Sequence, residues 1–262
     1  MSRHKMQINP ADRVQSLEKG LAVIQSFSQE HPTLTVSHAS KLTGLNRPTV
    51  RRIMLTLEAL GFVQADEGHY SLTAKTLTLG YAYLSSQNLW NFAYPKMREF
   101  VQETGESCSI SVLEETDIIY VARVPAKRIM SINIDIGTRL PAYATSMGRV
   151  LLAHLNEEQL EDYWIHAKLD PITDQTITNM EALKSIIHEV RINGYAHVEN
   201  QLEQGLRSLA VPLTNRHGET VAAINCSVHA GRITEEVLLS TFLPLLRATA
   251  RGVSNDIIAH RQ

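Results

Sequence analysis

Arg47, Thr49, Arg51 and Arg52 fall within one short stretch of the chain. Arginine carries a planar fork of donors that fits guanine O6 and N7 or a phosphate, and threonine can meet a base edge, a thymine methyl or a phosphate oxygen. On a helix advancing roughly 100° per residue, Val50, Ile53, Met54, Leu57 and Leu60 form one apolar stripe. Arg52 then lies nearly opposite that stripe, with Arg47 and Arg51 flanking one side and Thr49 and Thr56 the other. The same residues also read as a solvated charged face. What surrounds them decides between the two readings.

The chain around this stretch carries the marks of a compact helical head. Asn46 can cap a helix, Pro48 sits in the first turn where a missing N–H costs nothing, and Gly61 ends the helix after about Leu60. Upstream, Ser16 reads as the N-cap of a helix with Leu17, Leu21, Ile24 and Phe27 on one face, broken at His31-Pro32. Val36, Ala39 and Leu42 mark a second, short helix closed by Gly44. Ser37 and His38 at its start can hold a phosphate backbone. Downstream, Phe62-Val63 and Tyr70 to Leu72 read as strands around the polar tip Asp66-Glu67-Gly68-His69, which offers His69 as a further contact. Three helices and a hairpin make a winged helix-turn-helix. In that arrangement the N-terminal end of the third helix enters the major groove and its dipole favours phosphate. DNA contact through Ser37, Arg47, Thr49, Arg51, Arg52 and His69 is the expectation. Charge agrees in sign: residues 1–80 hold nine Lys and Arg against six Asp and Glu, a net of +3, leaving −5 for the remainder of a chain whose net charge is −2.

The rest of the sequence divides in texture. Residues 1–12 are polar and read as a disordered arm, 13–75 as the DNA-binding domain, 76–90 as a linker helix and 91–262 as a second domain. In that second domain helices are expected from about Asn91 to Thr104, at Ser146 to Leu155, Glu157 to His166 and Asn179 to Asn193. A long closing helix from Ile233 to His260 should break near Pro244. Strands are expected at Ser109–Leu113, Ile118–Val124, Ile129–Ile136, Ser208–Leu213 and Thr220–His229, with Gly137 to Tyr143 as loop. Hairpins rather than strict βαβ alternation make the class α+β. Cys108 and Cys226, without CxxC spacing, are expected as small core residues of a protein in the reducing cytoplasm, not as zinc ligands or a disulfide framework. No signal-peptide pattern opens the chain, and no run approaches the roughly 18 apolar residues of a membrane span. HExxH, P-loop and GxGxxG are missing, and Ser146 does not sit in GxSxG. No catalytic residue, metal or cofactor is therefore expected. The rival readings are an enzyme whose frame is assembled only in space, and a winged helix that binds protein alone.

Several stretches in order resemble one family, the isocitrate lyase regulators (IclR): residues 16–23, 45–52, 137–141, 146–153 and 205–212. Residues 121–124 and 128–131, on to Tyr143, look like the branch that regulates aromatic-acid and β-ketoadipate catabolism. The resemblance implies an N-terminal winged helix-turn-helix, a linker helix and a GAF-like effector-binding domain. It implies a homodimer, sometimes a tetramer on DNA, a palindromic operator and a small organic acid as effector.

Carried over by position, the effector cavity would be lined by Ala144, Thr145, Ser146, Met147 and Gly148, with Ser208, Asn225 and Ser227. Physically, Thr145 and Ser146 sit where a helix N-terminus offers free N–H groups to a carboxylate. Asn225 and Ser227 alternate around Cys226 and share one strand face, where buried polar groups need partners. A structural hydrogen-bond network would serve them equally. Arg123 and Arg149 are the candidate carboxylate clamps. Arg123 is the preferred one because it lies in an apolar strand run, with a salt bridge to Glu199 or Glu203 as its alternative role.

Overall fold

A computed structural model of the chain describes residues 9, 12–28, 30–86, 91–126 and 134–260. The arm read at residues 1–12 falls almost wholly outside these residues, as do the linker's last four positions and residues 129–133 of the strand expected at 129–136. The chain divides into two compact units, one within residues 4–87 and one from residue 88 onward.

The first unit contains α1 (Gln15–Gln25), β1 (Thr33–Leu34), α2 (Val36–Thr43), α3 (Arg47–Ala59), β2 (Val63–Asp66), β3 (His69–Leu72) and α4 (Leu77–Ser86). Val23, Leu34, Ala39, Val50, Met54, Leu57, Val63 and Tyr70 form its core. The caps explain where the helices start. Asn46 Oδ1 accepts from the Thr49 amide at 2.9 Å, and Thr35 Oγ1 from the His38 amide at 3.2 Å. Gly44 closes α2 at φ +70°. The end of α3 is tied down from the far side of the wing: Lys75 Nζ donates to Leu60 O at 2.7 Å and Thr73 Oγ1 to Gly61 O at 2.6 Å. The wing is a two-residue hairpin in which Glu67 (φ +45°) and Gly68 (φ +83°) both take left-handed backbone, as a type I′ turn demands.

Three expectations change here. Ser16 is not a cap. α1 opens at Gln15, and the Val14 carbonyl accepts the amides of Leu17 and Glu18. Leu17, Leu21, Leu42 and Leu60 are exposed, because α1, α2 and α3 bury only Val23, Ala39 and the Val50–Met54–Leu57 line. The wing gains the unexpected β1, which pairs Thr33 with Ser71 and gives a sheet ordered β1-β3-β2.

The second unit runs α5 (Ala93–Thr104), β4 (Ser107–Glu114), β5 (Asp117–Val124), β6 (Arg139–Pro141), α6 (Ser146–Ala153), α7 (Glu157–His166), α8 (Met180–Asn193), β7 (Ala196–Glu199), β8 (Leu206–Thr214), β9 (Thr220–His229), α9 (Glu235–Val237) and α10 (Leu243–His260). Its six strands are ordered β6-β5-β4-β9-β8-β7, antiparallel throughout. α6 packs on β8, β9 and β4; α10 packs on β8 and β9, and α5 on β4 and β5. The fold is α+β. β6 replaces expected loop, β7 is a strand that was not expected, and Ile134 to Ile136 are not strand. The closing helix deforms before Pro244 rather than at it. Proline has no N–H and its ring crowds the carbonyl four residues back, and a π-turn at Leu238–Phe242 absorbs the mismatch.

Cys108 and Cys226 are cross-strand neighbours, fully buried, and free. Burial pushes the Cys226 thiol up to about 12 and raises Cys108 as well. Both behave as small core residues.

Candidate functional site

On the first unit, α3 presents Arg47, Arg51 and Arg52 exposed and Thr49 half-buried. Among the described residues none of these arginines has a carboxylate partner. Thr56 does not join them, because its hydroxyl turns back onto the Arg52 carbonyl at 2.8 Å. Ser37 is half-buried in the first turn of α2, and His69 is exposed beside the wing turn. The His38 ring stacks edge-on against His31 at 4.6 Å, which directs it toward its own unit. Unpaired guanidinium groups near the capped start of an exposed helix can approach a polyanion at little desolvation cost.

On the second unit a cavity of about 540 Å³, counting its open mouth, lies between the sheet and the start of α6. Its floor follows from register. Ser107 pairs with Ser227 and Ser227 with Ser208, while Arg123 pairs with Ser109 and Ser109 with Asn225. Two adjacent polar rows thus cross the sheet on one face. A bulge aligns the last side chain. Ser111 faces Tyr120 while Ser109 faces Arg123, so the extra residue in β5 brings Tyr120 and Arg123 to the same side.

Arg123, Ala144, Thr145, Ser146, Ser208, Asn225 and Ser227 all line this cavity. Met147 and Gly148 do not. The Met147 side chain packs under α6 and takes the Ser111 hydroxyl on its sulfur at 3.2 Å. Gly148 lies against the Ala142 backbone, where a Cβ would stand 2.1 Å from the carbonyl oxygen. Ser107, Tyr120 and Gln201 complete the polar lining, and the sequence reading passed over them. The alternation Ser107-Cys108-Ser109-Ile110-Ser111 was the available signal for the first. Tyr120 required the bulge, and Gln201 required tertiary contacts.

The electrostatics favour an anion. Arg123 Nη1 donates to Ser109 Oγ at 3.1 Å, and the guanidinium is half-exposed toward the cavity. Glu199 is not its partner, since Arg207 engages that carboxylate through Nε and Nη2 at 2.9 and 2.7 Å. The N-cap Thr145 Oγ1 accepts the Gly148 amide at 3.1 Å, and the Ser146 amide has no acceptor among the described residues. Burial pushes the Tyr120 phenol up to about 12, so it stays a neutral donor. Arg149 does not line the cavity. It is 2% exposed and donates to Tyr143 O at 2.9 Å and to Gln201 Oε1 at 2.6 Å; burial lowers its pKa to about 10, which leaves it charged at neutral pH. Among the described residues no group of three or more His, Cys, Asp or Glu side chains could hold a metal, and no helix is long and apolar enough to cross a membrane.

Comparison with known proteins assigns both units to one family. Residues 16–67 match the IclR helix-turn-helix domain, and residues 81–255 match the bacterial transcriptional regulator IclR C-terminal domain. The Pca regulon regulatory protein of Pseudomonas putida is 40% identical over 95% of this chain and 89% of its own length. The p-hydroxybenzoate hydroxylase transcriptional activator of Acinetobacter baylyi is 35% identical over 95% of this chain and 94% of its own. The solved inducer-binding domain of a double mutant of the PobR transcription factor from Acinetobacter, in complex with 3-hydroxybenzoic acid, is 32% identical. It covers 62% of this chain and 94% of its own with a TM-score of 0.58. A helix-turn-helix unit joined in one chain to a unit with a sheet-floored polar cavity, with family matches over both, makes this protein an effector-responsive DNA-binding regulator of the IclR family.

Proposed function

We propose that the chain regulates a catabolic operon for aromatic or dicarboxylic acids, binding a palindromic operator as a cytoplasmic homodimer. In this reading residues 13–75 bind DNA, 76–90 link and 91–262 sense the effector. The single observation that carries it is the cavity's half-exposed Arg123, set in a floor of serines and an asparagine opposite the uncapped Ser146 amide. Arg123 receives the carboxylate, Thr145 and Ser146 orient it, and Ser208, Asn225 and Ser227 meet ring or chain oxygens. The regulators of aromatic-acid catabolism among its relatives support that ligand class. Dimerisation is supported by apolar residues left in the open at the start of α1 (Val14) and on it (Leu17, Leu21), and on α4 (Leu77, Leu79, Tyr81), which a second copy would cover. Effector control then requires unequal affinity for two states of the dimer.

Titration calorimetry with 3-hydroxybenzoate and 4-hydroxybenzoate, followed by a mobility-shift assay on the protein's own upstream region, tests this reading. Binding is expected to weaken in Arg123→Met by roughly tenfold to a hundredfold, the worth of a charged hydrogen bond. Acids that bind Arg123→Met as tightly as the natural chain, or that bind without changing operator affinity, would overturn it.

A further inference from the structure

Gln201 is held in one orientation. It follows β7 and is 8% exposed. Its Oε1 accepts from Arg149 Nη2 at 2.6 Å and from the Ile177 amide at 3.2 Å. A guanidinium and a backbone N–H can only donate, so the side-chain oxygen must face them. Its backbone is held too: Thr176 Oγ1 donates to Gln201 O at 2.7 Å, and Thr173 Oγ1 to Asn200 O at 2.6 Å. Nε2 has no partner among the described residues, and Gln201 lines the cavity. Its NH₂ is the polar group left to face a ligand.

Arg149 strengthens that donor. No carboxylate neutralises it among the described residues; its charge falls on two neutral acceptors, Tyr143 O and Gln201 Oε1. An amide whose oxygen takes a charge-assisted bond is polarised, and its N–H groups become better donors. Strand order separates this donor from Arg123. Arg123 is on β5 and Gln201 follows β7, with β4, β9 and β8 between them in the sheet. The two therefore stand at opposite walls of one cavity.

We infer that Gln201 is a specificity-determining residue. With Arg123 on the carboxylate, its Arg149-pinned N–H groups read a second acceptor oxygen at the far end of the ligand. The cavity thus selects acids that carry such an oxygen over acids of similar size that end in an apolar group. This rests on the reading of the cavity as an acid site.

The test uses matched acids, adipate with hexanoate and 4-hydroxybenzoate with benzoate, titrated calorimetrically into the full chain. The natural protein should bind the two-ended member of at least one pair roughly tenfold to a hundredfold more tightly. Gln201→Glu lets a carboxylate meet Arg149, so its melting temperature should hold or rise, yet it turns an oxygen toward the cavity. Adipate should then lose its advantage over hexanoate. Gln201→Met removes the donor without adding charge and should erase the preference in both pairs, while the apolar-ended acids keep their affinity. Equal binding within both pairs, or variants that weaken both members alike, would overturn the inference and leave the acid site standing. Failure of all four acids to bind would overturn the acid site and this inference with it.

Discussion

Arg52 makes no side-chain hydrogen bond among the described residues. Its side chain is exposed and without a carboxylate partner among the described residues. Removing it should leave stability within about 0.5 kcal/mol, as at ordinary surface positions. Operator binding should behave differently. If Arg52 forks onto a guanine, Arg52→Ala should cost about 1–3 kcal/mol and relax preference at one base pair. If it meets a phosphate, binding should weaken across all sequences and the salt slope should fall by about 1. Fluorescence anisotropy at several salt concentrations separates the two, and unchanged affinity with unchanged slope would remove Arg52 from the interface. Thr56 shows how far projection along a helix can be trusted. It shares the side of α3 that Thr49 occupies, yet its hydroxyl is occupied by its own helix, a local competition that helical angles do not express.

At the scale of elements, the tight approach of α6 to the turn before it governs the cavity wall. A methyl at position 148 would meet Ala142 O at 2.1 Å and Ala142 Cα at 2.4 Å, both backbone atoms that cannot swing aside. Gly148→Ala should therefore cost about 1–3 kcal/mol as overpacking and displace Ala144 from the wall. Thermal unfolding together with acid titration checks this, and a variant unchanged in both would show that the turn yields freely. The elements differ in how far their sequences announce them. α7 was legible to the residue because Asn156 and Gln159 form a reciprocal capping box that local sequence dictates. β9 was legible because its run is long and bounded by a turn. β1, β6 and β7 span only two to four residues, and each exists because a partner strand supplies its hydrogen bonds. The site follows the same division. Alternation around Cys226 put Asn225 and Ser227 on one face, whereas Tyr120 depends on a bulge and Gln201 on a loop packed from elsewhere in the chain. Met147 was misplaced because adjacency to a helix N-terminus says nothing about which way a side chain leaves the helix.

At the scale of the whole molecule, the proposed dimer is exposed to direct test. Leu17 is 60% and Tyr81 70% exposed, on two different helices of the first unit. Leu17→Lys with Tyr81→Lys should leave each unit folded, shift sedimentation toward a monomer and weaken operator binding, since half-sites would then be held one at a time. A double variant that still sediments as a dimer would move the interface elsewhere. The strand order has one more consequence, and it concerns time. β9 lies between β4 and β8 and is the one strand joining the β6-β5-β4 half of the sheet to the β8-β7 half. The cavity floor thus waits on pairings such as Ser107 with Ser227, 120 positions apart. Such distant closures are slow, and chains are made from the N-terminus. During synthesis the residues of α3 are made long before β9, so the floor of the sensing cavity can close only after most of the chain exists.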